Sequence, residues 1–241
     1  MTPHVKKVKI ITNDIKRNIT LFPSMEYDGQ GGFIFMAATE PIREKHQLQA
    51  LAEYFLEREQ YRNYVLIVMG AHTALRISDI LSFTWEDVYD EKRGVFRSCV
   101  ALEERKTGKK KTIALNAEVI RALALYRPHS RSRFIFANNR KEGMPISRMQ
   151  AWRIIHDAAA ELGVAGKISC HSLRKSWGYH AWTSGEVSPV VIMEIYNHSN
   201  YEITRRYLGV AQDDLDRAYL GMSLFGGQEE TATPEGQVCR G

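Results

Sequence analysis

The sequence predicts an α+β domain, mainly helical with one small antiparallel β-sheet. Three observations lead there. From His46 onward apolar residues recur at helical spacing, as at Leu48, Leu51, Ala52 and Phe55. Between about Gly94 and Leu115 that period gives way to two strand-like runs around a glycine-containing turn. A chain of 241 residues is also long enough for one substantial core plus a small appendage.

Residues 1–45 form a short segment or arm, partly strand-like. Val5-Lys-Lys-Val8-Lys-Ile10-Ile11 and Gly32-Phe-Ile-Phe-Met36 have strand character, with turn residues at 28–32. They suit either a hairpin on the main domain or an arm that orders on a partner. The main domain spans 46–225 and opens with the helix that carries Leu51. A second, almost wholly apolar helix covers about 62–75. Ser78 and Asp79 restart a helix through Leu81, because short oxygen side chains cap exposed N–H groups. Arg76 therefore falls at a helix–turn–helix junction, where its side chain can leave the core. Strands at 95–100 and 111–115 flank Lys106-Thr-Gly108-Lys-Lys, a hairpin tip. Helices are expected at 116–126, 147–162, 171–183, 188–196, 201–208 and 213–225. The polar, Gly-rich stretch 226–241 has the composition of a disordered tail.

No apolar run approaches the roughly 20 residues that span a bilayer. The best candidate, 64–75, is interrupted by Gly70 and His72, and the polar N-terminus lacks a signal-peptide core. Cys99, Cys170 and Cys239 form neither a C-x-x-C pair nor zinc-ligand spacing, which suits reduced thiols in a cytoplasmic protein. Formal net charge is +5; residues 225–241 contribute −2, so the body carries +7. That excess favours a polyanionic partner, because neutralised phosphates release counterions.

The chemistry-bearing residues concentrate in the last third: His171-Ser-Leu-Arg174, Asn197-His198-Ser, and Tyr207. Singly each has an ordinary reading. His171 and Arg174 would share a helix face, His198 would sit at a helix end, and Tyr207 has Tyr196, Tyr201 and Tyr219 as neighbours. Lys106 belongs to a lysine run that could simply solvate a hairpin, and Arg76 could pair with Asp79 one turn away.

Taken jointly, the order T-A-L-R76-I-S-D-I-L, K106-T-G-K, H171-S-L-R174-K, N-H198-S-N, then Tyr207 nine residues after His198, resembles the tyrosine recombinase (phage integrase) family. All six signature positions carry the expected residue type, in order, over about 47–225, the extent of a catalytic domain. The resemblance implies a site-specific DNA recombinase working through a 3′-phosphotyrosyl intermediate. Tyr207 would attack the scissile phosphate, and Arg76 and Arg174 would hold its non-bridging oxygens, a task suited to a permanently charged fork of donors. Lys106 would protonate the departing 5′-oxygen, His171 would help move the tyrosine proton, and His198 would hydrogen-bond the phosphate. Asp79 would orient Arg76. No metal or nucleotide cofactor is implied, and the sequence holds neither a G-x-x-x-x-G-K-[ST] loop nor carboxylates at two-metal spacing.

The implied partners are double-stranded DNA and further protomers assembled on it, up to a tetrameric synapse, at the nucleoid of the cytoplasm. Family integrases carry a helical clamp domain ahead of the catalytic one. With about 45 residues before the first clear helix, a catalytic domain acting alone or a partner supplying the clamp is expected. Asn197 also stands where the family has glycine, which should alter a helix end and leave the imidazole chemistry alone. The alternatives are a type IB topoisomerase-like nicking and resealing enzyme and a non-catalytic DNA-binding regulator of the same fold.

Overall fold

The computed structural model describes residues 25–27, 33–35, 39–104, 108–208, 216 and 219–222. Strands β1 (Met25–Tyr27) and β2 (Phe33–Phe35) pair antiparallel, with Glu26 opposite Ile34. The strand expected at 32–36 thus forms, and its partner is 25–27; the other expected strand, at 5–11, lies outside the described residues.

Helix α1 (Lys45–Leu56) buries Leu51 and Phe55, the stripe its period predicts. Helix α2 (Tyr61–His72) buries Val65 through Gly70 without interruption, which no amphipathic surface helix does, and so becomes the centre of the fold. It ends three residues short of the expected boundary, because Ala74 turns left-handed at φ 54°. Arg76 is the N-cap of α3 (Ile77–Ile80), at the expected junction; the helix opens one residue ahead of Ser78, so Ser78 and Asp79 lie inside its first turn and do not cap it as expected.

An unexpected single turn, α4 (Trp85–Val88), follows. Thr84 and Asp87 close a reciprocal capping box on it. Next come β3 (Tyr89–Asp90) with β4 (Val95–Phe96), and β5 (Cys99–Glu103) with β6 (Lys110–Ala114). The strand expected at 95–100 is therefore split. Arg97 N–H turns to Val88 O and Ser98 O accepts from Leu115, so the two pieces serve different partners. The described residues thus hold three two-stranded sheets in place of the one expected.

Helices α5 (Ala117–Tyr126), α6 (Arg148–Glu161), α7 (Cys170–Thr183), α8 (Pro189–Tyr196) and α9 (Tyr201–Leu208) complete the domain. Asn116, Ser147, Ser169 and Ser188 each accept a hydrogen bond from an N–H in the first turn they precede, which fixes where α5 to α8 start. Of the helix expected at 213–225, Asp216, Tyr219 and Leu220 are helical; most of that stretch and the tail 226–241 lie outside the described residues. No described helix is long and apolar enough to cross a membrane. Burial pushes the Cys170 thiol up to about 12, which leaves it un-ionised and unreactive near neutrality.

The apolar interior has two parts. The larger is built around α2, with α1, α5 and α7 packed on it. The smaller joins Ala74, Ile192, Tyr196 and Leu208, with Trp177, Ala181, Trp182 and Tyr207 against them. Two glycines allow α7 to serve both. A Cβ on Gly70 of α2 would stand 2.6 Å from Leu173 Cδ1, and one on Gly178 would stand 2.1 Å from Tyr196 Oη and 2.6 Å from Leu208 Cδ2. Gly178→Ala gains about 1 kcal/mol of helix propensity. Overpacking at such distances costs more, so a net loss of about 1–3 kcal/mol and a lower thermal midpoint are expected. An unchanged or raised midpoint would show that α8 and α9 are free to move off α7.

Candidate active site

Arg174 lies in the middle of α7 and is only 3% exposed. Its Nη1 donates to Ala74 O and its Nη2 to Tyr196 O, the latter at 3.3 Å. Tyr196 is fully buried and answers by donating its hydroxyl to Arg174 O at 2.6 Å. Its ring lies 4.8 Å from the guanidinium carbon. A guanidinium cannot shed its charge, so burial demands acceptors, and two main-chain carbonyls supply them. The left-handed backbone at Ala74 leads the chain from α2 into the site, at a cost of about 1–2 kcal/mol for a residue with a Cβ.

Arg76 reaches the same region from the start of α3. Its Nη1 lies 2.8 Å from Glu104 Oε2, with Arg76 19% and Glu104 2% exposed at the side chain. The acidic residue expected to orient Arg76 was Asp79, which is buried at 1%. Arg76 pairs with a carboxylate that sequence reasoning passed over, Glu104. Its signal was present in the alternation of β5: Val100, Leu102 and Glu104 point inward, while Ala101 and Glu103 are exposed.

Asn197 caps α8 at φ 56°, ψ 45°, a left-handed conformation that Asn tolerates better than most residues. Asn197 thus takes a backbone conformation that glycine also adopts readily. It also adds a contact glycine could not make, since Lys109 Nζ donates to Asn197 Oδ1 at 2.6 Å. Lys111 Nζ donates to Ile195 O at 2.6 Å, so two lysines of the run dock the C-terminal end of α8. The run is thus more than a solvated hairpin edge.

His198 follows Asn197, with Nδ1 3.0 Å from the buried Thr204 hydroxyl. Burial, then Arg174 and Arg76, push its pKa down to about 4, so the ring is neutral near pH 7. The Nδ1–Thr204 hydrogen bond orients the ring, and Nε2 is the nitrogen placed to face a phosphate oxygen.

Tyr207, on α9, is half-buried, and its ring stands against the others. Centroid distances are 5.1 Å to His198, 5.9 Å to His171 and 4.9 Å to Tyr196. The Arg174 guanidinium carbon lies 6.0 Å from the Tyr207 ring centroid. The hydroxyl is buried and makes no hydrogen bond of good geometry with a described residue. Its pKa is raised by burial, with Arg174 and then Arg76 offsetting only part of the rise. His171, exposed at the second position of α7, stands one turn from Arg174.

Five of the six expected site residues (Arg76, His171, Arg174, His198 and Tyr207) therefore converge. The sixth, Lys106, lies outside the described residues. Lys175, next to Arg174, is 9% exposed; its Nζ donates to Thr39 O at 2.6 Å and lies 5.3 Å from the Tyr207 ring centroid.

A mainly helical fold with paired guanidiniums, imidazoles and a phenol at one place defines a DNA strand transferase of the tyrosine type. Residues 43–213 match the phage integrase family. Over 192 residues the chain is 33% identical to the probable integrase/recombinase YoeC of Bacillus subtilis (strain 168), covering 80% of this chain and 99% of that protein. Identity to the tyrosine recombinase XerD of Mycobacterium leprae (strain TN) is 28% over 172 residues. That match takes in 66% of this chain and 52% of XerD, so the chain spans about half the length of that relative. The fold is similar to that of the XerA recombinase crystal structure, with a TM-score of 0.62 at 19% identity, over 78% of this chain and 67% of that one. The chain belongs to the phage integrase family.

Proposed function

We propose that this protein is a site-specific recombinase that cuts and rejoins double-stranded DNA one strand at a time. The observation that carries the reading is the placement of the Tyr207 phenol among Arg174, His171 and His198, with Arg76 close enough to act on its pKa. Tyr207 Oη forms a bond to phosphorus as the bond from phosphorus to the 5′-oxygen breaks. The phenolic proton leaves toward His171, and the 5′-oxygen takes a proton from Lys106. The product is a 3′-phosphotyrosyl link and a free 5′-hydroxyl; attack by a 5′-hydroxyl of another strand reverses the step. Arg76 and Arg174 stabilise charge on the non-bridging oxygens, each contributing about 3–4 kcal/mol to lowering the barrier. Neutral His198 donates to the same phosphate.

Residues 46–225 constitute the catalytic domain, and the protein acts at the nucleoid. The active assembly is a set of protomers on DNA, up to a tetramer. The exposure of Tyr219, Leu220 and Met222 supports protomer contacts through the C-terminal segment.

The test is a nicked suicide substrate taken from the flanks of the protein's own gene. A covalent protein–DNA band is expected. A specific gel shift with no band would favour a DNA-binding regulator, and supercoil relaxation by a monomer would favour a topoisomerase. Lys106→Ala should slow cleavage of ordinary DNA by about 10²–10⁴-fold. A 5′-bridging phosphorothiolate, whose leaving group needs no proton, should restore the rate. Absence of rescue would remove Lys106 as the acid.

A further inference from the structure

We propose that Glu104 is a positioning residue that aims Arg76 at the scissile phosphate; this rests on the reading of Arg76 as a phosphate clamp. Glu104 directly follows β5 and is locked by its own main chain: its N–H donates to Lys109 O at 2.9 Å and its carbonyl accepts from Gly108 N–H at 2.8 Å. The alternation of β5 turns its side chain inward, where it is 2% exposed and 2.8 Å from Arg76 Nη1. On the neighbouring strand, Lys111 is half-buried with Nζ fixed to Ile195 O at 2.6 Å. Glu104 acts on Lys111 as well, opposing the lowering of its pKa by burial and by Arg174. One buried carboxylate thus pairs with a guanidinium at the start of α3 and also acts electrostatically on a cation of the hairpin.

A carboxylate so deeply buried is held in place by its charge partner, and the partner is held in turn. The guanidinium is planar with its donors in a fixed fork, so fixing Nη1 on Glu104 sets the plane in which the remaining N–H groups point. The hairpin therefore contributes to the site through Glu104 at its base. Its rigid base sets the angle of the first arginine.

The experiment is a double-substitution cycle on the intact chain, reading single-turnover adduct formation on the suicide substrate. Glu104→Gln keeps the shape and removes the charge. In the wild-type background it should slow cleavage by about ten- to a hundredfold, the usual cost of losing an orienting partner. DNA affinity should stay within about threefold, because orientation matters most in the transition state. In the Arg76→Ala background the same substitution should change the rate by less than about twofold. A scissile methylphosphonate, which carries less charge to stabilise, should shrink the Glu104→Gln defect.

An equal loss in both backgrounds, or a full defect on the methylphosphonate, would overturn the proposal and leave Glu104 a structural ion pair. Cleavage by Arg76→Ala at the wild-type rate would instead remove the clamp itself, and the positioning role with it. Should Glu104→Gln not fold, Glu104→Asp keeps the charge with a shorter reach. Its slowed cleavage, again absent in Arg76→Ala, would uphold the proposal, and a wild-type rate would overturn it.

Discussion

Tyr207→Phe is expected to abolish the covalent protein–DNA band while leaving fold and DNA affinity in place. Only the attacking oxygen is lost, and removal of a nucleophile costs on the order of 10³-fold or more. Stability should stay level or rise by up to about 1 kcal/mol, because the hydroxyl removed is buried and poorly bonded. Gel electrophoresis under denaturing conditions and a thermal melt check the two halves. A persistent adduct would move the nucleophile elsewhere, and the structure narrows where. Tyr196 is fully buried with its hydroxyl committed to Arg174 O, so the 42% exposed Tyr201 would be the next residue to test.

Arg174→Ala should be damaging in two separable ways. The buried carbonyls of Ala74 and Tyr196 lose their donors, which costs about 2–4 kcal/mol of folding stability and shows as a lower thermal midpoint. Well below that midpoint, cleavage should fall by about 10²–10³-fold, while DNA binding weakens by less than about tenfold. The asymmetry follows from charge that builds on the phosphate only during attack. Equal losses of binding and cleavage would mean that Arg174 positions DNA or the fold and does not stabilise the transition state.

Much of this site is legible in the sequence because its parts are local. His171 and Arg174 share a turn of helix, His198 follows a helix end, and Arg76 begins one, so capping and period place each on its element. Glu104 is different. Its partner is 28 positions away, and only the docking of a hairpin on α3 brings the carboxylate to Arg76. Asp79 is nearer in sequence, three positions from Arg76, which is why short-range spacing points to it. The tie of Lys175 to Thr39 O was hidden for the same kind of reason, because it joins α7 to the segment ahead of α1, 136 positions away. The α4 turn escaped because four residues are too few for a period, although the Thr84–Asp87 box marks its start. The split between β4 and β5 was hidden because each piece is itself strand-like, and only the choice of partner separates them.

The carbonyl of Ala74 is the acceptor for Arg174, and Arg76 begins α3 two residues later. The two guanidiniums are therefore ruled by a single short length of main chain. A change of backbone at 74–76 is felt at both cations, in α7 as well as at the start of α3. The spacing of the two positive charges is thereby coupled to the left-handed turn at Ala74 that follows α2.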